Sequence, residues 1–219
     1  GSGGTPCQSC SLAGRREKNI DQNTLPWEFA KFAEHVQPKL VILENVTGIL
    51  RAFTKDGVSY HAWFEVAKAF DRKNYIPLCL HINAKLVGVP QNRPRFIMLG
   101  IRPDVFGSLE ESFNDNEHTL FEKSKHLFKK IKNKRRVDIN EYKYFDVQRP
   151  TDLDVISNTF LAPLISGNIV SVKDALNDLK TNSVARKSKY VKNLNNTFSD
   201  ILVGQKATQN HELRRNNDL

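Results

Sequence analysis

Three short segments carry the side chains that could do chemistry. Cys7 sits in Gly3-Gly4-Thr5-Pro6-Cys7-Gln8-Ser9, a Gly/Pro-bounded turn where a thiol is exposed and not packed. Glu44 and Asn45 follow the apolar run Leu40-Val41-Ile42-Leu43. Arg93 and Arg95 lie in Gln91-Asn92-Arg93-Pro94-Arg95, just ahead of Phe96-Ile97-Met98-Leu99. A thiolate splits one hard step into easier ones by covalent addition, and backbone N–H groups in a loop that feeds a helix lower a thiol pKa. A carboxyl group partly desolvated at a strand end can stay protonated and donate to a ring nitrogen. Arginine offers a rigid fork of donors for a carbonyl oxygen or a phosphate. The combined kit suits nucleophilic addition to an electron-poor ring. Taken singly, each residue has a plainer reading: a small turn cysteine, a solvated strand-end acid, and surface arginines in weak ion pairs.

The elements that must position these groups are readable from periodicity. Residues 1–24 are polar or Gly/Pro/Ser-rich and predict a loop. Pro26 suits a helix first turn, and Trp27, Phe29, Phe32, Ala33 and Val36 predict an amphipathic helix ending at Pro38. Leu40–Leu43 is a continuous apolar run, as in a buried parallel strand. Residues 46–57 read as a loop ending in the Asp56-Gly57 turn. Trp63, Phe64, Val66, Ala67 and Phe70 recur at helical spacing, Tyr75 to Ile82 alternates as a strand, and Phe96 to Ile101 is another apolar strand. Helix, strand, helix, strand, strand describes the second half of an open α/β sheet, its last two strands antiparallel. Glu44 then falls at the carboxyl edge of that sheet, where such folds bind ligands. Arg93 and Arg95, two apart in extended chain, share a face.

The chain has 219 residues, 39% hydrophobic and 26% charged, room for one α/β domain with an appendage. A net charge of +9 favours a polyanionic partner. From Lys123 to Arg136 there are eight Lys/Arg and no acid, and Lys129, Lys130, Lys132, Lys134, Arg135 and Arg136 are candidate DNA-backbone contacts, with a solvated loop as the plainer reading. Three cysteines, Cys7, Cys10 and Cys79, argue against a disulfide framework, and Cys7-x-x-Cys10 lacks the second ligand pair of a zinc site, so no metal is expected. No apolar run approaches membrane-spanning length, about 20 residues. His61, His81, His126 and His211 read as structural or surface histidines, and Tyr142 and Tyr144 as hydrophobic anchors.

In the order Pro6-Cys7-Gln8, Glu44-Asn45-Val46, and Gly88-Val89-Pro90-Gln91-Asn92-Arg93-Pro94-Arg95, the three motifs resemble those of the C5-cytosine-specific DNA methyltransferases. Val172-Lys173-Asp174-Ala175-Leu176 and Asn210-His211 are similar to later segments of that family. The resemblance implies a Rossmann-like, S-adenosylmethionine-dependent fold and a reaction on cytosine flipped out of duplex DNA. By it, Cys7 would attack C6, Glu44 would hold the N3 edge, Arg95 would contact O2 and Arg93 would support the site. Gln8 and Ser11 would belong to the loop closing over the nucleotide, Asn45 and Gln91 would line the substrate site, and Pro6 would touch the cofactor. Cys10 stands where the family has Phe, and the loop after Gly14 is poor in glycine. No Phe-x-Gly-x-Gly motif precedes Cys7 and no terminal Gly-Asn motif follows. The expectation is therefore a fragment or split subunit, with most of the cofactor pocket on a complementary chain, working on DNA in a bacterial or phage-infected cytoplasm (or in a nucleus).

The expected organisation is a partial catalytic core over 1–106, a basic insertion over 107–150, and a segment leading into target recognition over 151–219. Three other functions stay open: a catalytically silent DNA-binding relative, a tRNA cytosine-5 methyltransferase, and a thiol-redox protein using Cys7 and Cys10. Ser11-Leu12-Ala13-Gly14 is closer to the DNA branch, and the redox reading lacks a helix start at its motif.

Overall fold

The computed structural model describes residues 2–4, 25–55, 58–165 and 169–171. The chain divides into two compact units. The first joins Gly1–Asn83 to Pro94–Ala162; the second joins Ala84–Arg93 to Pro163–Leu219.

The first unit is built on a five-stranded sheet of order β1-β2-β6-β5-β7. Its strands are β1 (Ser2–Gly4), β2 (Leu40–Val46), β5 (Ile76–Asn83), β6 (Pro94–Ile101) and β7 (Phe145–Asp146). β1 runs parallel to β2, β7 runs parallel to β5, and β6 is antiparallel to both of its neighbours. The carboxyl ends of β1, β2, β5 and β7 and the start of β6 therefore share one edge. A small hairpin, β3 (Ala52–Lys55) with β4 (Val58–His61), occupies part of the stretch expected as loop.

Helices α1 (Leu25–Val36) and α2 (Ala62–Arg72) cover one sheet face. Side chains in register across strands share a face, and this one carries Val41, Leu43, Phe96, Met98 and Cys79, all at most 1% exposed. They pack with Trp63, Phe64, Phe70 and Tyr75 in one core. The α1 stripe is not the expected one. Ala30 and Ala33 are buried and Phe29 meets Phe70 edge-on at 5.7 Å, whereas Phe32 and Val36 are more than half exposed. The two alanines let the helix approach closely, and a face centred on them turns Phe32 outward.

The stretch 107–150, expected as a basic insertion whose lysine run forms either a helix or a loop, is largely helical. After α3 (Pro103–Glu110), α4 spans Asp115–Lys132. Asn114 caps it through the Glu117 N–H, and the Glu117 carboxylate returns to the Asn114 N–H, both at 3.0 Å. Leu120, Phe121, Ser124 and Leu127 form its buried stripe, so its lysines occupy the remaining surface. Tyr142 then anchors the following segment, donating to the Pro77 carbonyl at 2.8 Å. α5 (Pro150–Ser157) completes the unit. Buried Asp152 accepts from Lys143 at 2.7 Å and from the Asp146 N–H at 3.0 Å, which fixes β7 against the edge of β5.

Of the second unit, the described segment Ala84–Arg93 begins with a 3-10 turn, Ala84–Val87, and Gly88 has φ 81°, a conformation that glycine adopts without strain. The Ala84 N–H donates to the Arg93 carbonyl at 3.1 Å, closing the segment on itself.

Candidate active site

Glu44 and Arg95 meet at the carboxyl edge of the first unit. Glu44 pairs in register with Ile97 and Val46 with Arg95, so the two charged residues sit diagonally on one face. Arg95 Nε lies 2.7 Å from Glu44 Oε1, an ion pair out of line for a straight hydrogen bond, and Arg95 Nη1 donates to the Pro94 carbonyl at 2.8 Å. The Glu44 side chain keeps 44% of its exposure and that of Arg95 21%. A half-exposed pair of this kind contributes about 0–1 kcal/mol to the fold. Its partners can therefore be exchanged for a substrate at small cost.

On the other side of Glu44, β1 ends with Gly4 in register against it. The chain thus reaches this carboxylate three residues before Cys7. Pro6, Cys7, Gln8 and Ser11 lie outside the described residues. Cys79 does not compete for the nucleophile's role: it is fully buried, and burial pushes its thiol up to about 12, against the smaller opposing effect of the Tyr142 hydroxyl.

Asn45 is not on the Glu44 face. It is 2% exposed on the core side, and its Oδ1 accepts from the Val46 N–H at 2.8 Å. Its side chain shapes the strand end from behind and does not line the open face. Gln91 and Arg93 belong to the second unit, where both are exposed. Lys129, Lys132, Lys134, Arg135 and Arg136 are exposed on or just after the last turn of α4, and Lys130 is held by Glu141.

One constellation escaped the sequence reading. Asn45, Phe96, His81 and Asp146 stand in one row across β2, β6, β5 and β7. Buried His81 has Nε2 3.3 Å from Thr47 Oγ1 and Nδ1 3.1 Å from Asp146 Oδ2. The Nδ1–Asp146 contact is out of line for a straight hydrogen bond, and the direction of the Thr47 contact follows the ring's tautomer. Thr47 opens the 3-10 turn Thr47–Leu50 directly after Glu44-Asn45-Val46. The chain of polar groups therefore ties the motif's exit to β7. Only the position of His81 in an alternating strand hinted at burial; Asp146, 65 positions on, gave no local signal.

The C-5 cytosine-specific DNA methylase family model matches residues 2–217, and the chain belongs to that family. It is 35% identical over 102 residues to the type II methyltransferase M.DdeI of Desulfomicrobium norvegicum, covering 47% of this chain and 24% of that protein. It is 34% identical over 125 residues to the orphan methyltransferase M.SPRI of Bacillus phage SPR, covering 56% and 27%. With the type II methyltransferase M1.HphI of Haemophilus parahaemolyticus the identity is 36% over 122 residues, covering 54% and 30%. The matched part thus spans between 24% and 30% of each relative. Among the described residues no helix is long and apolar enough to cross a membrane, and no group of three or more His, Cys, Asp or Glu could hold a metal.

Proposed function

We propose that this chain carries the reacting residues of a DNA cytosine-5 methyltransferase. The observation that carries the reading is the edge itself: Gly4, Glu44 and Arg95 are brought together by strand register, with the Glu44–Arg95 contact at 2.7 Å. Cys7 adds as thiolate to C6 of a cytosine flipped from the duplex, and the electron pair moves to C5. Once its pairing with Arg95 opens, Glu44 takes a proton from solvent and supports that addition by donating it to N3, while the freed Arg95 donates to O2. Arg93 supports the site, while Gln8, Ser11 and Gln91 hold the nucleotide. S-adenosylmethionine supplies the methyl group when bound; the candidate contact to it, Pro6, lies outside the described residues. Loss of the C5 proton and expulsion of the Cys7 thiolate from C6 complete the cycle, leaving 5-methylcytosine.

The test is transfer of labelled methyl to mixed-sequence duplex DNA, with a cofactor-binding half supplied in trans, tRNA as a second acceptor and Cys7→Ala as control. Label recovered as 5-methylcytosine in DNA, and lost with Cys7→Ala, is the expected result. No label from a complex that binds both cofactor and DNA overturns the catalytic reading in favour of a silent DNA-binding relative. Label in tRNA alone overturns the choice of DNA.

A further inference from the structure

The basic run and the Glu44–Arg95 pair lie at opposite edges of the sheet. Lys129 lines a shallow groove with Ile76, the first residue of β5, and with Pro103, just past the end of β6. Arg95 stands at the start of β6, so six strand residues, roughly 20 Å, separate the two places. α1, α2 and α4 all finish at the far edge, each followed by a non-glycine residue of positive φ: Gln37 at 52°, Asn74 at 68° and Lys134 at 53°. After α4 the Lys134 N–H returns to the Ile131 carbonyl and the Arg135 N–H to the Lys130 carbonyl, both at 2.9 Å. This helix stop is most easily made with glycine, and here it presents a lysine.

The acids of this edge are already engaged. Glu34 holds Lys73 at 2.6 Å, Asp104 holds Arg102 at 2.6 Å, and Glu110 and Glu141 hold Lys125 and Lys130. Asp71 is 2% exposed and faces the interior. Among the described residues, no carboxylate lies within ion-pair distance of Arg72, Lys129, Lys132, Lys134, Arg135 or Arg136. Three helix ends at about half a negative charge each offset roughly 1.5 of these six charges. The larger part of the positive charge remains uncompensated on exposed side chains.

We propose that this far edge is a second nucleic-acid surface, binding the phosphate backbone of duplex DNA without regard to sequence. It rests on the reading that the protein works on DNA. A straight duplex whose cytosine enters the Glu44 edge lies on the other side of the sheet from these cations. The far edge therefore takes a separate DNA segment, which holds the protein near its substrate between encounters.

The experiment uses the whole chain and a fluorescent mixed-sequence duplex. Anisotropy titrations over a range of salt compare the wild type with K129Q/K134Q/R135Q/R136Q, whose folding is checked by circular dichroism. A second, biotinylated duplex reports whether one protein bridges two DNAs. The expected result is a slope of log K against log salt shallower by about 3–4 in the variant, at roughly 0.9 for each phosphate no longer neutralised, together with loss of bridging. An unchanged slope overturns the proposal, as does equal competition by polyglutamate or by anionic lipid vesicles. The two readings fail separately. A wild type that binds and bridges DNA but never methylates it, even in a cofactor-binding complex with the other half supplied, sinks the catalytic reading alone; one that methylates DNA in that complex with an unchanged variant slope sinks only this one.

Discussion

The two edges of the sheet are made from the same strands, yet they are finished in opposite ways. At the carboxyl edge, the end of β2 and the start of β6 leave a weakly paired acid and arginine, Glu44 and Arg95, on an open face. At the far edge, three helices end in tight stops, their acids are matched, and cations are left over. The first arrangement holds a few groups in register for chemistry; the second spreads charge over exposed side chains. Reactive geometry needs strand register, whereas charge can be displayed wherever a helix ends.

The largest effect expected from breaking this contrast is at the first edge. Glu44→Gln should lower methyl transfer by about 10²–10⁴-fold, the usual contribution of a positioned acid. Because the ion pair contributes little to the fold, urea midpoints should hardly move. A collapse of stability instead would make Glu44 a structural residue.

Next in size is Asp71, whose two carboxylate oxygens have no hydrogen-bond partner and whose burial raises its pKa from 3.8 to about 8, against the lowering effects of Arg72 and Lys132. The folded pKa is the higher one, so the folded protein binds the extra proton. Stability should therefore fall as pH rises through the interval between those two values, by about 1.4 kcal/mol per pH unit, and level off above it. Asp71→Asn should flatten that dependence in urea titrations across the interval. A wild type equally stable at both ends would refute the protonated state.

His81→Ala should cost roughly 1–3 kcal/mol, because it empties a buried site and removes a polar contact from both the Asp146 carboxylate and the Thr47 hydroxyl. Urea unfolding measures it, and a negligible loss would mean that water replaces the imidazole. The smallest effect sharpens the far edge. Lys134→Gly should relieve the positive φ and stabilise the fold by about 1 kcal/mol. The same change should weaken DNA binding slightly, and a gain in both would remove Lys134 from the charged surface.

Much of the first unit was legible because apolar runs and helical spacing act locally. Leu40–Leu43, Tyr75–Ile82 and Phe96–Ile101 each announce a buried strand, and the antiparallel pairing of the last two follows from their short connection. Elements whose cause lies elsewhere were not. Ser2–Gly4 has no strand propensity and is a strand because β2 pairs with it. β7, two residues long, exists because Asp152 and the β5 edge hold it. The lysine run of α4 left helix and loop both open, and burial of Leu120, Phe121, Ser124 and Leu127 decides for the helix.

The sequence by itself singled out the proposed reacting set, since Cys7, Glu44, Arg93 and Arg95 stand out by type, order and neighbouring turn residues. It also determined that the protein is basic. Tertiary structure decided which face each residue takes and which edge it reaches. Asn45 turns to the core while Glu44 turns outward, because successive strand residues alternate. His81 meets Thr47 only when β2 and β5 join the same sheet, and Asp146 only when β7 docks. The basic run lies at the far edge because the buried stripe of α4 fixes where that helix ends. Residue chemistry is a local property, whereas proximity across a sheet depends on pairings between segments distant in the chain.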